Sequence, residues 1–257
     1  MDADRFRSLA EAAPPDLRQK LLVLPSIVAD WLEPHGGLAG RKIMDFGCGL
    51  GELAAGLAFS APTASVIGLE VTDQPTQLPT TLEPIGLALP PNLSFREVAL
   101  GEVGDENEFD LIVSWSVFEH IQRNQFNAVM ARLKTRLKPG GLLFMQVSPL
   151  FFSPEGSHFW ALGYTDWQHL TRELSEVRGD LDASVLNDRQ RELHWKLFLR
   201  LNRFTAPDFE RRLAAAGYSV LRRQIDRIDR EPPAELLTAY DRDALMTEQI
   251  VLLLRRN

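Results

Sequence analysis

Between Ile43 and Leu53 the chain reads Ile-Met-Asp-Phe-Gly-Cys-Gly-Leu-Gly-Glu-Leu, and few architectures accommodate that order of residues. A short apolar run closes on an acid, Asp45, and glycines follow at Gly47, Gly49 and Gly51. The run predicts a buried parallel strand, the glycines a tight turn, and Leu53 to Leu57 the start of a helix. Such a turn lets main-chain N–H groups approach a ligand closely, and the helix N-terminus adds partial positive charge. A dinucleotide fingerprint would carry glycine where Glu52 stands, and a phosphate-gripping P-loop would carry Gly-Lys-Ser/Thr. Neither is present, which disfavours a nicotinamide-dependent dehydrogenase.

Strand and helix alternate along the following hundred or so residues, the pattern of a parallel sheet with right-handed crossovers. Ala64 to Leu69 predicts a second strand ending at Glu70, roughly twenty residues after the glycine turn. A carboxylate so placed suits two ribose hydroxyls; the plainer alternative is a surface acid at a strand end. Thr72 to Pro91 reads as a long connection with a short helix around Leu82 to Ala88. Leu93 to Leu100 predicts a third strand and Phe109 to Trp115 a fourth, strongly apolar and β-branched. A helix from Gln125 to Leu137 is expected to stop at Lys138-Pro-Gly-Gly141, with a fifth strand over Leu142 to Val147. Later, Ala206 to Ala216 predicts a helix capped by Thr205, Tyr218 to Ile225 a strand, Leu236 to Met246 a helix and Gln249 to Leu254 a last strand. Ahead of all this, Leu17, Leu21, Leu24, Val28, Trp31 and Leu32 recur at helical spacing around Pro25, as a helical cap packed on the sheet edge would.

Two stretches of this sequence resemble one known family. Asp45-Phe-Gly-Cys-Gly-Leu-Gly51 resembles motif I of the class I S-adenosylmethionine-dependent methyltransferases, and Asp110-Leu-Ile-Val-Ser-Trp-Ser-Val-Phe-Glu-His-Ile121 resembles their fourth-strand motif. The resemblance implies an α/β fold, a doubly wound, mostly parallel seven-stranded sheet of Rossmann-like methyltransferase type, with S-adenosyl-L-methionine as cofactor. The expected organisation is an N-terminal cap over 1–40, a cofactor-binding core over 41–148, an insertion over 149–203 serving as acceptor lid, and the end of the core over 204–257. By the same resemblance Asp45, Gly47, Cys48, Gly49, Gly51 and Glu70 form the cofactor site, Cys48 for its small size. Ser114 and Trp115 would lie beside the sulfonium, and His120 near the methyl-transfer site. The family usually reads adenine with an acid near the end of its third strand. Here Val98 and Ala99 stand there, so their main-chain groups, with those of Leu100, would take over, or Glu97 in another register.

The loop Ser148 to Trp160 directly follows the fifth strand, and open α/β sheets bind ligands at such carboxyl edges. Its aromatics can equally form a satellite core. His158 is the first choice for a general base, with His169 behind it. No metal is expected, because the histidines show neither a helical pair nor tight ligand spacing. Arg203 is a guess for an anionic acceptor. A net charge of −7 argues against a broad nucleic-acid surface, and the single cysteine rules out an intramolecular disulfide. No apolar run is long enough to cross a bilayer and the N-terminus lacks a secretion pattern, so a cytoplasmic protein is expected. The predicted activity is methyl transfer to oxygen of a small-molecule or saccharide-type acceptor. A protein or RNA methyltransferase and a cofactor-binding module without catalysis are the alternatives.

Overall fold

The apolar runs fold into seven strands: β1 (Lys42–Phe46), β2 (Ser65–Glu70), β3 (Leu93–Glu97), β4 (Phe109–Trp115), β5 (Leu137–Val147), β6 (Tyr218–Arg227) and β7 (Thr247–Arg256). This computed structural model describes residues 3–105 and 108–257, leaving the first two residues of the expected cap and residues 106–107 of the expected core outside it. The strand order is β3-β2-β1-β4-β5-β7-β6. β1 pairs parallel with β2 and β4, and β2 with β3. The sheet is mixed, with one antiparallel hairpin. The order reverses between β1 and β4, and in open α/β sheets the strand ends at such a reversal are where ligands bind.

The helices, in chain order, are α1 (Ala3–Glu11), α2 (Pro15–Arg18), α3 (Leu24–Leu32), α4 (Glu52–Ser60), α5 (Leu78–Leu82), α6 (Arg123–Arg136), α7 (Gln168–Thr171), α8 (Leu174–Ala183), α9 (Asp188–Arg200), α10 (Ala206–Ala215) and α11 (Arg242–Met246). The segment between α2 and α3, Gln19–Val23, is a π-helical turn, and Pro25 sits in the first turn of α3, where a missing N–H costs least. Pro25 therefore does not end the helical run. Among the described residues no helix is long and apolar enough to cross a membrane.

The chain forms two compact units, divided differently from the expected boundaries at 40, 148 and 203. The first comprises the chain up to Trp115, Val129–Phe144 and Leu253–Asn257. In it the leading helices pack as the spacing predicts: Phe6, Ala10, Leu17 and Leu21 join Ala55, Phe59, Leu78 and Leu82 in one buried cluster. Phe6 stacks on Phe59 at 4.5 Å between ring centroids. The second unit comprises Ser116–Ala128 and Met145–Leu252. Its aromatic loop does form a core, Phe151, Phe159 and Tyr164 packing with Val177 and Leu181 of α8 and Phe198 of α9. Thr205 caps α10 with Asp208 in a reciprocal capping box, as predicted.

Four element expectations are corrected. β3 stops at Glu97 rather than Leu100. β5 starts at Leu137, so Lys138-Pro-Gly-Gly141 is its exposed opening stretch; α6 has already ended at Arg136. The short helix expected around Leu82 to Ala88 lies earlier, as α5 continued by a 3-10 turn over Glu83–Ile85. The helix expected over Leu236 to Met246 is split, because the Asp241 carboxylate accepts the N–H groups of Asp243 and Ala244 and starts α11 afresh.

Candidate functional site

In the first unit the glycine turn is laid across the end of β2. The N–H groups of Gly47 and Cys48 both donate to the Leu69 carbonyl, at 2.9 and 3.0 Å. Gly49 N–H then donates to Glu70 Oε2 at 2.8 Å, and Val71 N–H donates to Oε1 at 2.7 Å. Two main-chain donors thus orient the Glu70 carboxylate, and each of its oxygens keeps a second lone pair for a ligand hydroxyl. At the far end of the turn Gly51 has φ +88°, and a Cβ there would lie 2.5 Å from the Phe95 ring. Only glycine fits this position.

Asp45 is buried at the tip of β1, and its Oδ2 has no hydrogen-bond partner among the described residues. Burial, then the Glu70 charge, raise its carboxyl to about 7, against the Ala54 N–H that lowers it. An acid whose folded pKa exceeds its unfolded value binds more protons when folded. Its stabilising share is complete below the unfolded value of 3.8 and is lost as pH climbs to about 7. Asp45→Asn should therefore flatten the decline in stability across that window, read as urea midpoints against pH. An unchanged slope would show that Asp45 titrates normally.

Cys48 is buried, and burial followed by the charges of Asp45 and Glu70 pushes its thiol well above the ordinary range. It fills space and is no nucleophile. Val98 N–H donates to the Glu70 carbonyl at 2.8 Å, and the Ala99 carbonyl accepts from Glu102 N–H at 2.9 Å, so one main-chain group of each residue is engaged within the protein. Ser114 is fully buried and its hydroxyl donates to the Phe46 carbonyl at 2.9 Å. That bond ties β4 to β1, and the side chain is a strut rather than a sulfonium contact. Trp115 is half-buried and stacks on Phe144, whose ring Trp31 meets edge-on.

In the second unit a 3-10 turn over Phe118–His120 follows β4. Asn202 clamps it: Nδ2 donates to the Phe118 carbonyl at 2.6 Å and the Asn202 N–H to the Glu119 carbonyl at 2.9 Å. Arg123 Nε in turn donates to the Asn202 carbonyl at 2.6 Å. The clamp holds three titratable side chains together. Glu119 is 3% exposed, and its carboxylate oxygens find no partner beyond its own main chain. Burial lifts its carboxyl to about 8. His120 Nε2 lies 3.9 Å from Glu119 Oε1, too far for a hydrogen bond, and His120 Nδ1 is buried without a partner. The His120 ring meets the His158 ring at 4.9 Å between centroids.

His158 Nε2 is also buried and unpartnered, while the other ring nitrogen bonds the Pro149 carbonyl. Burial, then the neighbouring His120, hold its pKa down to about 3. So low a value disfavours His158 as a general base, which is most effective with a pKa near the working pH. His169 is buried too, lowered to about 4, chiefly by burial. Its Nε2 donates to the Phe151 carbonyl at 2.7 Å, which pins the aromatic loop. Arg203 lies over the Phe151 ring at 4.7 Å. Glu119 and Asn202 were missed by sequence reasoning. An acid between Phe118 and His120 in an apolar stretch was a usable signal for the first. Nothing local marks the second.

A family described as methyltransferase domain matches residues 6–223. The ubiquinone biosynthesis O-methyltransferase of Acinetobacter baylyi is 29% identical over 121 residues, 45% of this chain and 47% of that protein. The chain spans about half the length of the curated relatives it matches. Among solved structures, the magnesium protoporphyrin IX methyltransferase of Synechocystis, with bound SAH, superposes with TM-score 0.54 and 18% identity over 99% of this chain and 94% of that one. A putative sarcosine dimethylglycine methyltransferase from Galdieria sulphuraria gives TM-score 0.58 at 17% identity, over 91% of this chain and 85% of its own. At such identities the likeness shows the fold.

Proposed function

The chain belongs to the class I S-adenosylmethionine-dependent methyltransferase family, and from that premise we propose that it methylates an oxygen of a small-molecule acceptor. The observation that carries this reading is the 2.8 Å bond between Gly49 N–H and Glu70 Oε2. It sets a ribose-binding acid against a glycine turn on adjacent strands, as an adenosyl cofactor requires. The orphaned Asp45 oxygen beside the turn is a further polar group suited to a ligand. When bound, S-adenosylmethionine supplies an electrophilic methyl group on a positively charged sulfur. The chain's own part is to hold it: Glu70 fixes the ribose, the Gly47–Gly51 turn lets the main chain come close, and the Trp115–Phe144 stack forms an apolar wall. Alignment and exclusion of water then lower the barrier more than an elaborate set of catalytic groups would.

Oxygen as the receiving atom is supported by the O-methyltransferases among the relatives. A small acceptor is supported by the net charge of −7, which gives polyanions no broad basic surface. The reading is tested by incubating the full chain with methyl-labelled cofactor and separate panels of phenols, sugars, RNA and protein. Label in an ether of a small molecule supports it. Label confined to RNA or protein, or to nitrogen or carbon, overturns it.

A further inference from the structure

We propose that Glu119, His120 and His158 form a binding site for a divalent first-row transition-metal ion such as zinc. The three residues each offer one ligand atom, and these atoms all lie within 4.8 Å of one another. Ligands about 2.1 Å from one ion stand at most about 4.2 Å apart, so side-chain adjustments of under ~1 Å complete the coordination. Sequence spacing concealed the site, because the pair Glu119-His120 follows β4 whereas His158 comes after β5.

The state of the side chains argues for an ion rather than for an internal hydrogen-bond network. Among the described residues, both carboxylate oxygens of Glu119, Nδ1 of His120 and Nε2 of His158 are buried without a side-chain partner. Buried polar atoms are nearly always paired, so four in one cluster need an explanation. The groups do not satisfy each other, since the nearest approach between Glu119 and His120 is 3.9 Å. His158 meanwhile gives its other ring nitrogen to the Pro149 carbonyl. Metal-ligating histidines are characteristically oriented in this way, with one nitrogen on a carbonyl and the other left to the ion. The Asn202 clamp on the Phe118 and Glu119 carbonyls fixes the turn carrying the other two ligands. Two imidazoles and one carboxylate suit zinc, iron, cobalt or manganese, and leave coordination positions open.

The site's role, though not its existence, rests on the function proposed above. A cation bound there would lower the pKa of a hydroxyl that coordinates it, as an oxygen acceptor requires, and the hydroxyl proton would pass to solvent.

The test uses the full chain, stripped with chelator and titrated with Zn2+ by calorimetry and with Co2+ by visible absorption. One equivalent should bind, and Co2+ should develop d–d bands. Glu119→Gln, close to isosteric and therefore expected to fold, should weaken binding at least about tenfold to a hundredfold, and His158→Ala likewise. Should His158→Ala unfold, His158→Gln takes its place. Cofactor affinity, measured on the same samples, should be unchanged by Glu119→Gln. Wild type that binds neither ion, or variants that bind as wild type does, would overturn the site. Cofactor binding without metal binding overturns this inference alone. Metal binding at the triad without cofactor binding overturns the methyltransferase reading and leaves the site standing.

Discussion

Glu70→Ala is expected to weaken S-adenosylmethionine binding by about a hundredfold while leaving the fold intact. Glu70 ends β2 half-exposed, so its removal opens no cavity in the core. Its carboxylate already accepts from Gly49 and Val71 N–H groups, which hold both oxygens in a fixed plane. Ribose hydroxyls therefore meet an acceptor pair that loses little freedom on binding. Hydrogen bonds to a charged group contribute roughly 1.5–3 kcal/mol each, and their competition with water reduces the sum of two. About 2.8 kcal/mol remains, which corresponds to the hundredfold loss. Glu70→Gln keeps one acceptor and should lose about tenfold. Calorimetry with the cofactor decides the matter. If Glu70→Ala binds as tightly as wild type, the cleft between β1 and β2 is not the cofactor site.

What the sequence disclosed and what it withheld follow from the range of the interactions. β1, β2 and β4 were legible almost to the residue, because burial on both faces of a parallel sheet demands unbroken apolar runs. Thr72 to Pro91 was misread for a local reason. Pro75, Pro79 and Pro84 look like breakers, yet each stands in the first turn of a short helix, where proline is at home. In the site, the glycine turn and Glu70 were legible because a strand end and a tight turn fix both within one βαβ unit. The approach of His158 to Glu119 and His120 was not, since it depends on two separate loops. The Asn202 clamp spans 84 residues and has no local signature. Ser114 shows the opposite error: a motif position was assigned to a ligand, while its hydroxyl is used within the sheet.

Gly51→Ala should cost about 2–5 kcal/mol of stability, a large part of the roughly 5–15 kcal/mol that holds a domain folded. Two separate penalties combine. At φ +88° an L-residue is in left-handed backbone, worth about 1–2 kcal/mol. The new Cβ would also stand 2.5 Å from Cε1 and Cζ of Phe95 and 3.4 Å from Leu78. Phe95 has little room to retreat, because its ring also covers Gly68 so closely that a Cβ there would be 2.6 Å away. Overpacking of this kind costs about 1–3 kcal/mol. Gly101→Ala separates the terms: its φ is +83°, but no atom of the described residues lies within 4 Å of the added Cβ, so it should show the backbone penalty alone. In the double variant with Phe95→Ala the Gly51→Ala cost should fall toward the Gly101→Ala value, a coupling that denaturant titration reads directly. Equal losses for Gly51→Ala and Gly101→Ala would mean that Phe95 does not press on the turn. In that case the close packing that shapes the cofactor cleft would have to come from elsewhere in the sheet.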